Sequence, residues 1–415
     1  MLARHDGQIV LVSGTIPGER VRARVERAAK SVLYAATTEV VEASPDRRSA
    51  AGDGLCGGNV FAHINYERQR LLKGDILRDA LERIGRVRME AAPDIVGSPE
   101  QAYRMRARLH CRDRRLGFFR EGTHDLCDAG STGQLLPAAV AWIAEAEQAI
   151  AHSRLSGLSG VELSENAAGD ERACHLLLDA RVVAAPFAVL GRLPGITGLS
   201  AECADRAGIE ILSGVPSVTD ILHVRADDPG THLRLTRDVR AFFQANRFLL
   251  EPLVRYVMSL VPPCPVVDLY AGVGLFGLSL AAAGYEQVTL VEGDPISGAS
   301  LVENAEPFGS RVRVERKSVE SYLSAGPRLD TETARRGTRP TYIVDPPRTG
   351  MSKEALAGII RSGPERLVYV SCDVATFARD TRTLLDAGYA LERVSGMDLF
   401  PNTAHVEAIA RFVRM

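Results

Sequence analysis

Val266-Val-Asp-Leu-Tyr-Ala-Gly-Val-Gly-Leu-Phe-Gly277 is the stretch on which the reading of this chain turns. A short apolar run carries Asp268, and Gly272, Gly274 and Gly277 follow where a strand turns tightly into a helix. Glycine gives such a turn its backbone freedom and leaves a ligand room against the main chain. Downstream, Glu292 closes the next apolar run, Gln287-Val-Thr-Leu-Val-Glu, where a carboxylate can accept hydrogen bonds from ribose hydroxyls. Thr341-Tyr-Ile-Val-Asp and Leu367-Val-Tyr-Val-Ser add further strands, with helices between them and a helix over Phe242–Leu260 before them. Apolar strands alternating with helices predict an α/β unit with a mostly parallel, helix-covered sheet.

Outward from there the character changes. Residues 1–46 hold short alternating or apolar runs (Gln8-Ile-Val-Leu-Val, Arg20-Val-Arg-Ala-Arg-Val, Ser31-Val-Leu-Tyr, Thr37-Thr-Glu-Val-Val-Glu) that predict a small β-barrel. Leu72, Ile76, Leu77, Leu81 and Ile84 recur at helical spacing within an amphipathic helix over Tyr66–Arg86. From 94 to about 240 strands and helices mix, with a strand pair at Arg104–His110 and Leu116–Arg120 and a helix over Ala138–Ala151. The polar stretch 324–340 reads as a surface loop.

Composition narrows the class. The chain has 415 residues, 46% hydrophobic and 25% charged, with 50 Lys+Arg against 52 Asp+Glu and a net charge of -2. That is a globular balance, and it excludes a uniformly basic nucleic-acid coat but not a local basic track. Seven scattered cysteines argue against a secreted disulfide scaffold. The start lacks the apolar core of a signal peptide, and Leu269–Ala283 is too short to span a bilayer. The expectation is a cytoplasmic, monomeric protein with no membrane segment.

Taken alone, the glycines serve a dinucleotide fingerprint as well as a methyl-donor site. Asp268, placed to meet a cationic ligand, favours S-adenosylmethionine over NAD. So do Asp345-Pro-Pro and Ser371-Cys372-Asp373 at later strand ends, for which hydride transfer has no use. A lone cysteine after a strand is more often a small buried hydrophobe; here the surroundings decide. Val344-Asp-Pro-Pro-Arg-Thr-Gly, Tyr369-Val-Ser-Cys-Asp and Asp398-Leu-Phe-Pro-Asn-Thr-Ala-His-Val-Glu407 together resemble the RNA uracil-C5 methyltransferase family over nearly the whole chain.

The resemblance implies a Rossmann-like methyltransferase domain (62–93 and 242–415), an N-terminal OB/TRAM-like barrel (1–46) and a central α+β domain (47–61 and 94–241). It also implies the chemistry. C5 of uracil is a poor nucleophile; a thiolate adding to C6 makes an enolate whose charge reaches C5, which then attacks the donor methyl. A base next removes the C5 proton, and the thiolate leaves. By resemblance Cys372 is the nucleophile and Glu407 the base, while His405 shares their motif with a role that could equally be structural. Gln244, Tyr270, Glu292 and Asp345 surround the donor with Asp268, Gly272 and Gly274, and Ser318 falls beside the adenine. Ribosomal RNA is the favoured substrate; transfer RNA, or a catalytically degenerate RNA-binding assembly factor, stays open.

Many members of that family hold an iron–sulfur cluster. Here Cys56 and Cys127 remain, but Ala50 and Asn59 stand at two ligand positions, so no cluster is expected. For RNA, Arg104, Arg106, Arg108, Arg112, Arg114, Arg115 and Arg120 face the single acid Asp113, with Phe118 and Phe119 among them. Arginine suits phosphate, and aromatic rings can stack on unpaired bases. A solvated strand pair with two core phenylalanines is the plain alternative.

Overall fold

The computed structural model describes residues 1–50, 52–228, 230–326 and 339–415, so 327–338 of the expected surface loop lie outside the described residues. β1 (Leu2–His5), β2 (Gln8–Ser13), β3 (Arg20–Ala28) and β4 (Val32–Glu42) form a sheet ordered β1-β2-β4-β3. Its order does not close into a ring. The two strands expected over 31–42 are one, because Val32–Glu42 pairs along its length with β2 on one side and β3 on the other. Its core is small, centred on Val10, Val12 and Ala35.

α1 (Tyr66–Arg83) is capped by the Asn65 side chain and buries Leu72, Leu77 and Leu81 together with Gln69 and Lys73. It stops three residues short of the expected Arg86, whose φ of +55° leaves the helical region. β5 (Ile95–Val96) then joins the edge of the C-terminal sheet, just beyond the boundary drawn at 93.

The central unit is a seven-stranded sheet. It comprises β6 (Arg106–Arg112), β7 (Arg115–Phe119), β8 (Leu126–Cys127), β9 (Leu158–Glu165), β10 (Arg172–Leu178), β11 (Gly198–Cys203) and β12 (Glu210–Gly214), ordered β12-β11-β10-β9-β6-β7-β8. α2 (Pro137–His152) packs Trp142, Ile143 and Ile150 into its core. An antiparallel ribbon, β13 (Ser217–His223) with β14 (His232–Asp238), follows.

The C-terminal unit runs α3 (Leu250–Ser259), β15 (Val266–Leu269), α4 (Leu275–Ala282), β16 (Val288–Glu292), α5 (Pro295–Ala305), β17 (Val312–Arg316), α6 (Val319–Ser324) and β18 (Thr341–Val344). It ends with α7 (Lys353–Ser362), β19 (Arg366–Ser371), α8 (Val374–Asp386), β20 (Tyr389–Met397) and β21 (Glu407–Arg414). The sheet order is β17-β16-β15-β18-β19-β21-β20-β5, parallel from β17 to β19, with β21 antiparallel to both neighbours. Strand order reverses between β15 and β18, and open α/β sheets collect ligands at the carboxyl ends beside such a switch point.

The expected helix over 242–260 begins only at Leu250. Asn246 explains the delay. Its Oδ1 accepts from the Phe248 and Leu249 amides, and its Nδ2 donates to Ser98 Oγ and the Leu399 carbonyl, so Phe242–Leu249 is pinned as an irregular segment.

Candidate active site

The glycine turn leaves β15 through Tyr270 at φ +63°, then Gly272 at +57° and Gly274 at +104°. Left-handed backbone at a non-glycine residue is strained, and such strain gathers at ligand-binding turns. Glu292, ending β16, accepts from the Gly272 amide (2.7 Å) and the Asp294 amide (2.6 Å). Asp268 accepts from the Gly277 amide (2.8 Å) through Oδ2, while its buried Oδ1 has no donor among the described residues. Burial pushes Asp268 up to about 8 and raises Glu292 too. A Cβ at Gly272 would meet nothing within 4 Å, so space lies open against the turn. An orphaned buried carboxylate oxygen, an open backbone cradle and an acid at the next strand end fit S-adenosylmethionine, which is cationic at one end and a ribonucleoside at the other.

Gln244 Nε2 donates to Asp345 Oδ2 at 3.2 Å, bringing together two of the expected donor residues. Leu269 pairs with Val344, so Tyr270 and Asp345 leave the sheet side by side. Burial pushes Asp345 up to about 7 against the Gln244 hydrogen bond. Ser318 caps α6 by accepting from the Ser321 amide, and its Cα lies 3.2 Å from where a Gly293 Cβ would be, next to Glu292.

Cys372 is a half-buried free thiol in the short turn between β19 and α8, whose N-terminus Asp373 caps. Ser371 pairs with Ala408, so one step further the antiparallel register sets Cys372 beside Glu407. The Glu407 carboxyl is buried, and no side chain among the described residues donates to it. Burial first, then Asp345, raises Glu407 well above the carboxylate range, with Arg348 opposing. Burial, Glu407 and Asp345 push the Cys372 thiol up to about 11, again against Arg348. Exposed His405 stands edge-on to Phe400 at 5.9 Å, and desolvation by the surrounding protein lowers its basicity.

Arg348 was not singled out from the sequence, although it stands in the quoted Asp-Pro-Pro-Arg. It is exposed, makes no ion pair among the described residues, and projects its field onto both Cys372 and Glu407. Phe242, two residues before Gln244, is 64% exposed. Lys73 and Asp398, both fully buried, form an ion pair that no spacing in the sequence announces.

The seven arginines do not form one surface. Arg104 donates to Gln134 Oε1 and the Arg106 carbonyl, with the Phe118 and Phe400 rings nearby. Arg106 is pushed down to about 10, chiefly by burial, and donates to the Val239 carbonyl. Arg115 pairs with Glu147 and Arg120 with Asp53. Arg108 faces Glu162 across the sheet; Arg112 and Arg114 stand exposed at the β6–β7 turn. His110 stacks on Phe119 at 3.6 Å, while Phe118 belongs to the core.

Cys56 and Cys127, the two cysteines that remain of the cluster motif, are joined in a disulfide. The Gly57 amide bonds the Phe119 carbonyl, and Cys56 bridges to Arg120, which lays the 53–59 loop over the β7–β8 hairpin. With one sulfur bonded to the other, and with Ala50 and Asn59 in the remaining positions, these residues do not fit a four-thiolate cluster. Among the described residues no group of three or more His, Cys, Asp or Glu could hold a metal, and no helix is long and apolar enough to cross a membrane.

An α/β sheet with a glycine turn at its switch point, and a cysteine and a buried acid at adjacent strand ends, defines a nucleotide-cofactor group-transfer enzyme. The profile described as tRNA (Uracil-5-)-methyltransferase matches residues 230–412. The 23S rRNA (uracil(1939)-C(5))-methyltransferase RlmD of Halomonas elongata is 32% identical over 97% of this chain and 84% of its own. The protein of the same name in Acidithiobacillus ferrooxidans is 32% identical over 100% of this chain and 94% of its own. The structure of Pyrococcus abyssi tRNA (uracil-54, C5)-methyltransferase in complex with S-adenosyl-L-homocysteine shares the fold, with TM-score 0.76, 24% identity and coverage of 97% and 95%. The chain belongs to the RNA uracil-C5 methyltransferase family, and is an S-adenosylmethionine-dependent enzyme acting on RNA.

Proposed function

We propose that this enzyme methylates C5 of a uridine in ribosomal RNA through a covalent bond between Cys372 and C6. The observation that carries the reading is the register of β19 and β21, which sets the Cys372 thiol beside the buried Glu407 carboxyl, with Asp345 and Gln244 next to them. Cys372 adds to C6, and the resulting enolate is nucleophilic at C5. S-adenosylmethionine, when bound, supplies the electrophilic methyl. Glu407, kept basic by burial, takes the C5 proton, and the Cys372 thiolate leaves as the double bond re-forms. Gln244, Asp268, Tyr270, Gly272, Gly274, Glu292, Ser318 and Asp345 hold the donor. Exposed Phe242 offers a ring to the extruded base, and Arg108, Arg112 and Arg114 offer charge to its phosphates.

Residues 1–46 act as a TRAM-like RNA-binding unit, 47–61 with 94–241 as the central domain, and 62–93 with 242–415 as the catalytic domain. The protein works as a cytoplasmic monomer without an iron–sulfur cluster. Ribosomal RNA is favoured by the 32%-identical relatives named for 23S rRNA; transfer RNA is the second reading, from the structural neighbour named for tRNA. The test is transfer of labelled methyl from S-adenosylmethionine to unmodified 23S rRNA and, separately, to unmodified tRNA, followed by nucleoside analysis. Labelled 5-methyluridine in the 23S arm is expected. Label only in tRNA moves the substrate, and no 5-methyluridine in either arm overturns the reading.

A further inference from the structure

The β20–β21 connection carries Phe400 and His405 and ends on Glu407, whose stem partner is Met397. Helix α1, more than three hundred residues earlier, grips this connection at two points. Lys73 Nζ contacts Asp398 Oδ1 at 2.5 Å and donates to the Phe400 carbonyl at 3.0 Å, with both charged groups wholly buried. One turn earlier, Gln69 donates to Asn402 Oδ1 (2.9 Å) and accepts from the Asn402 amide (2.9 Å), so both partners are fixed in a reciprocal pair. Asn402 sits at φ +65°, a left-handed conformation that asparagine adopts more readily than other side-chain-bearing residues.

A buried ion pair is weak evidence of stability, since an apolar pair of similar size does as well. What an ammonium and an amide supply here is direction: they fix where two carbonyls and one carboxylate point. Thr403 Oγ1 then donates to the Phe400 carbonyl, and the His405 amide donates to Thr403 Oγ1, continuing the chain toward Glu407.

We infer that Lys73 and Gln69 are positioning residues for proton abstraction, acting through the connection they clamp to aim the Glu407 carboxyl at C5. The inference rests on the proposed roles of Cys372 and Glu407. It concerns one step. The C5–H bond breaks with its proton going to Glu407, that bond's electrons form the C5–C6 double bond, and the C6–S bond breaks to return the thiolate. Addition and methyl transfer come earlier and use residues at the carboxyl ends of β15, β18 and β19. A loosened clamp therefore leaves the methylated adduct stranded.

The experiment gives Lys73→Met, Lys73→Arg and the double variant Lys73→Met/Asp398→Asn uridine-containing substrate RNA with S-adenosylmethionine. RNA–protein adducts stable in denaturing gels are followed beside 5-methyluridine release, with wild type and Glu407→Gln as references. Lys73→Met is expected to accumulate the methylated adduct as Glu407→Gln does, with kcat down about 10²-fold and donor affinity at the wild-type value. Lys73→Arg is expected to recover part of kcat. The double variant, which leaves no unpaired buried charge, serves where Lys73→Met fails to fold and is expected to trap the adduct as well. A variant that folds, binds donor and releases product at the wild-type rate overturns the inference. So does one that slows without any adduct. Failure of wild type itself to make 5-methyluridine would instead overturn the proposed function.

Discussion

The Cys372 thiol must ionise beside two carboxyl groups, Glu407 and Asp345, in a site that also burial makes hostile to charge. The group that eases this is Arg348, whose cation opposes all three effects. Neutralising a neighbouring carboxylate removes a charge that disfavours the thiolate, so Glu407→Gln and Asp345→Asn are each expected to move Cys372 below about 11, and Arg348→Ala to move it up. Alkylation of the Cys372 peptide by iodoacetamide across pH, read by mass spectrometry, checks the sign. A rising midpoint in Glu407→Gln would contradict it. At this scale motifs marked residues that the fold gathers, since Cys372, Glu407, Gln244 and Asp345 lie together. It was silent on Lys73–Asp398, because a contact between residues so far apart leaves no spacing to read. It misjudged Arg104 and Arg106, because counting charges along a strand cannot tell which guanidinium the neighbouring units cover.

Among the elements, the strand–turn–helix over β15 and α4 follows most directly from sequence, since the glycine spacing is itself the geometry. Gly277 shows why. A Cβ there would stand 2.1 Å from Leu290 Cδ2 and 3.0 Å from Asp268 Oδ2, forcing helix and strand apart. Gly277→Ala is expected to lose about 1–3 kcal/mol through overpacking and to weaken donor binding, measured by urea unfolding and by calorimetry. Unchanged stability would mean that the close approach of α4 to β15 and β16 is wrong. Other elements were harder to read. The run Phe242–Leu260 is apolar enough for a helix, yet Asn246 side-chain bonds hold its first part out of one. Strands β17 and β20 carry exposed charged residues near the sheet's edges, and their weak apolar signal hid them.

Across the whole molecule, near-neutral charge conceals an uneven distribution. Much of the arginine content is spent on internal ion pairs, such as Arg237 with Asp220 and Arg247 with Glu165. On the N-terminal sheet, Arg20 and Arg22 pair with Glu42 and Glu39. The cations left for phosphate in the β6–β7 region are Arg108, Arg112 and Arg114. Charge reversal at Arg112 and Arg114 is expected to weaken RNA binding at every sequence tested and to flatten its salt dependence by about one unit of slope per lost contact. Arg106→Glu is expected instead to lower thermal stability, since it buries a charge beside Glu162. Equal RNA affinity after both reversals would place the RNA elsewhere. That the strands fall into separate sheets was legible from changes in sequence character. The Cys56–Cys127 bond was not, because two cysteines 71 residues apart say nothing of pairing until strands bring them together.

The central claim is that Cys372 bonds covalently to the target base and that Glu407 removes the C5 proton. RNA carrying 5-fluorouridine tests it most directly, because fluorine cannot leave as a proton and the methylated adduct cannot resolve. Incubated with S-adenosylmethionine, the enzyme is predicted to form an equimolar RNA–protein adduct that survives denaturation. Digestion should map it to Cys372, and Cys372→Ala should form none. An adduct at another residue, or one that persists in Cys372→Ala, would contradict the account.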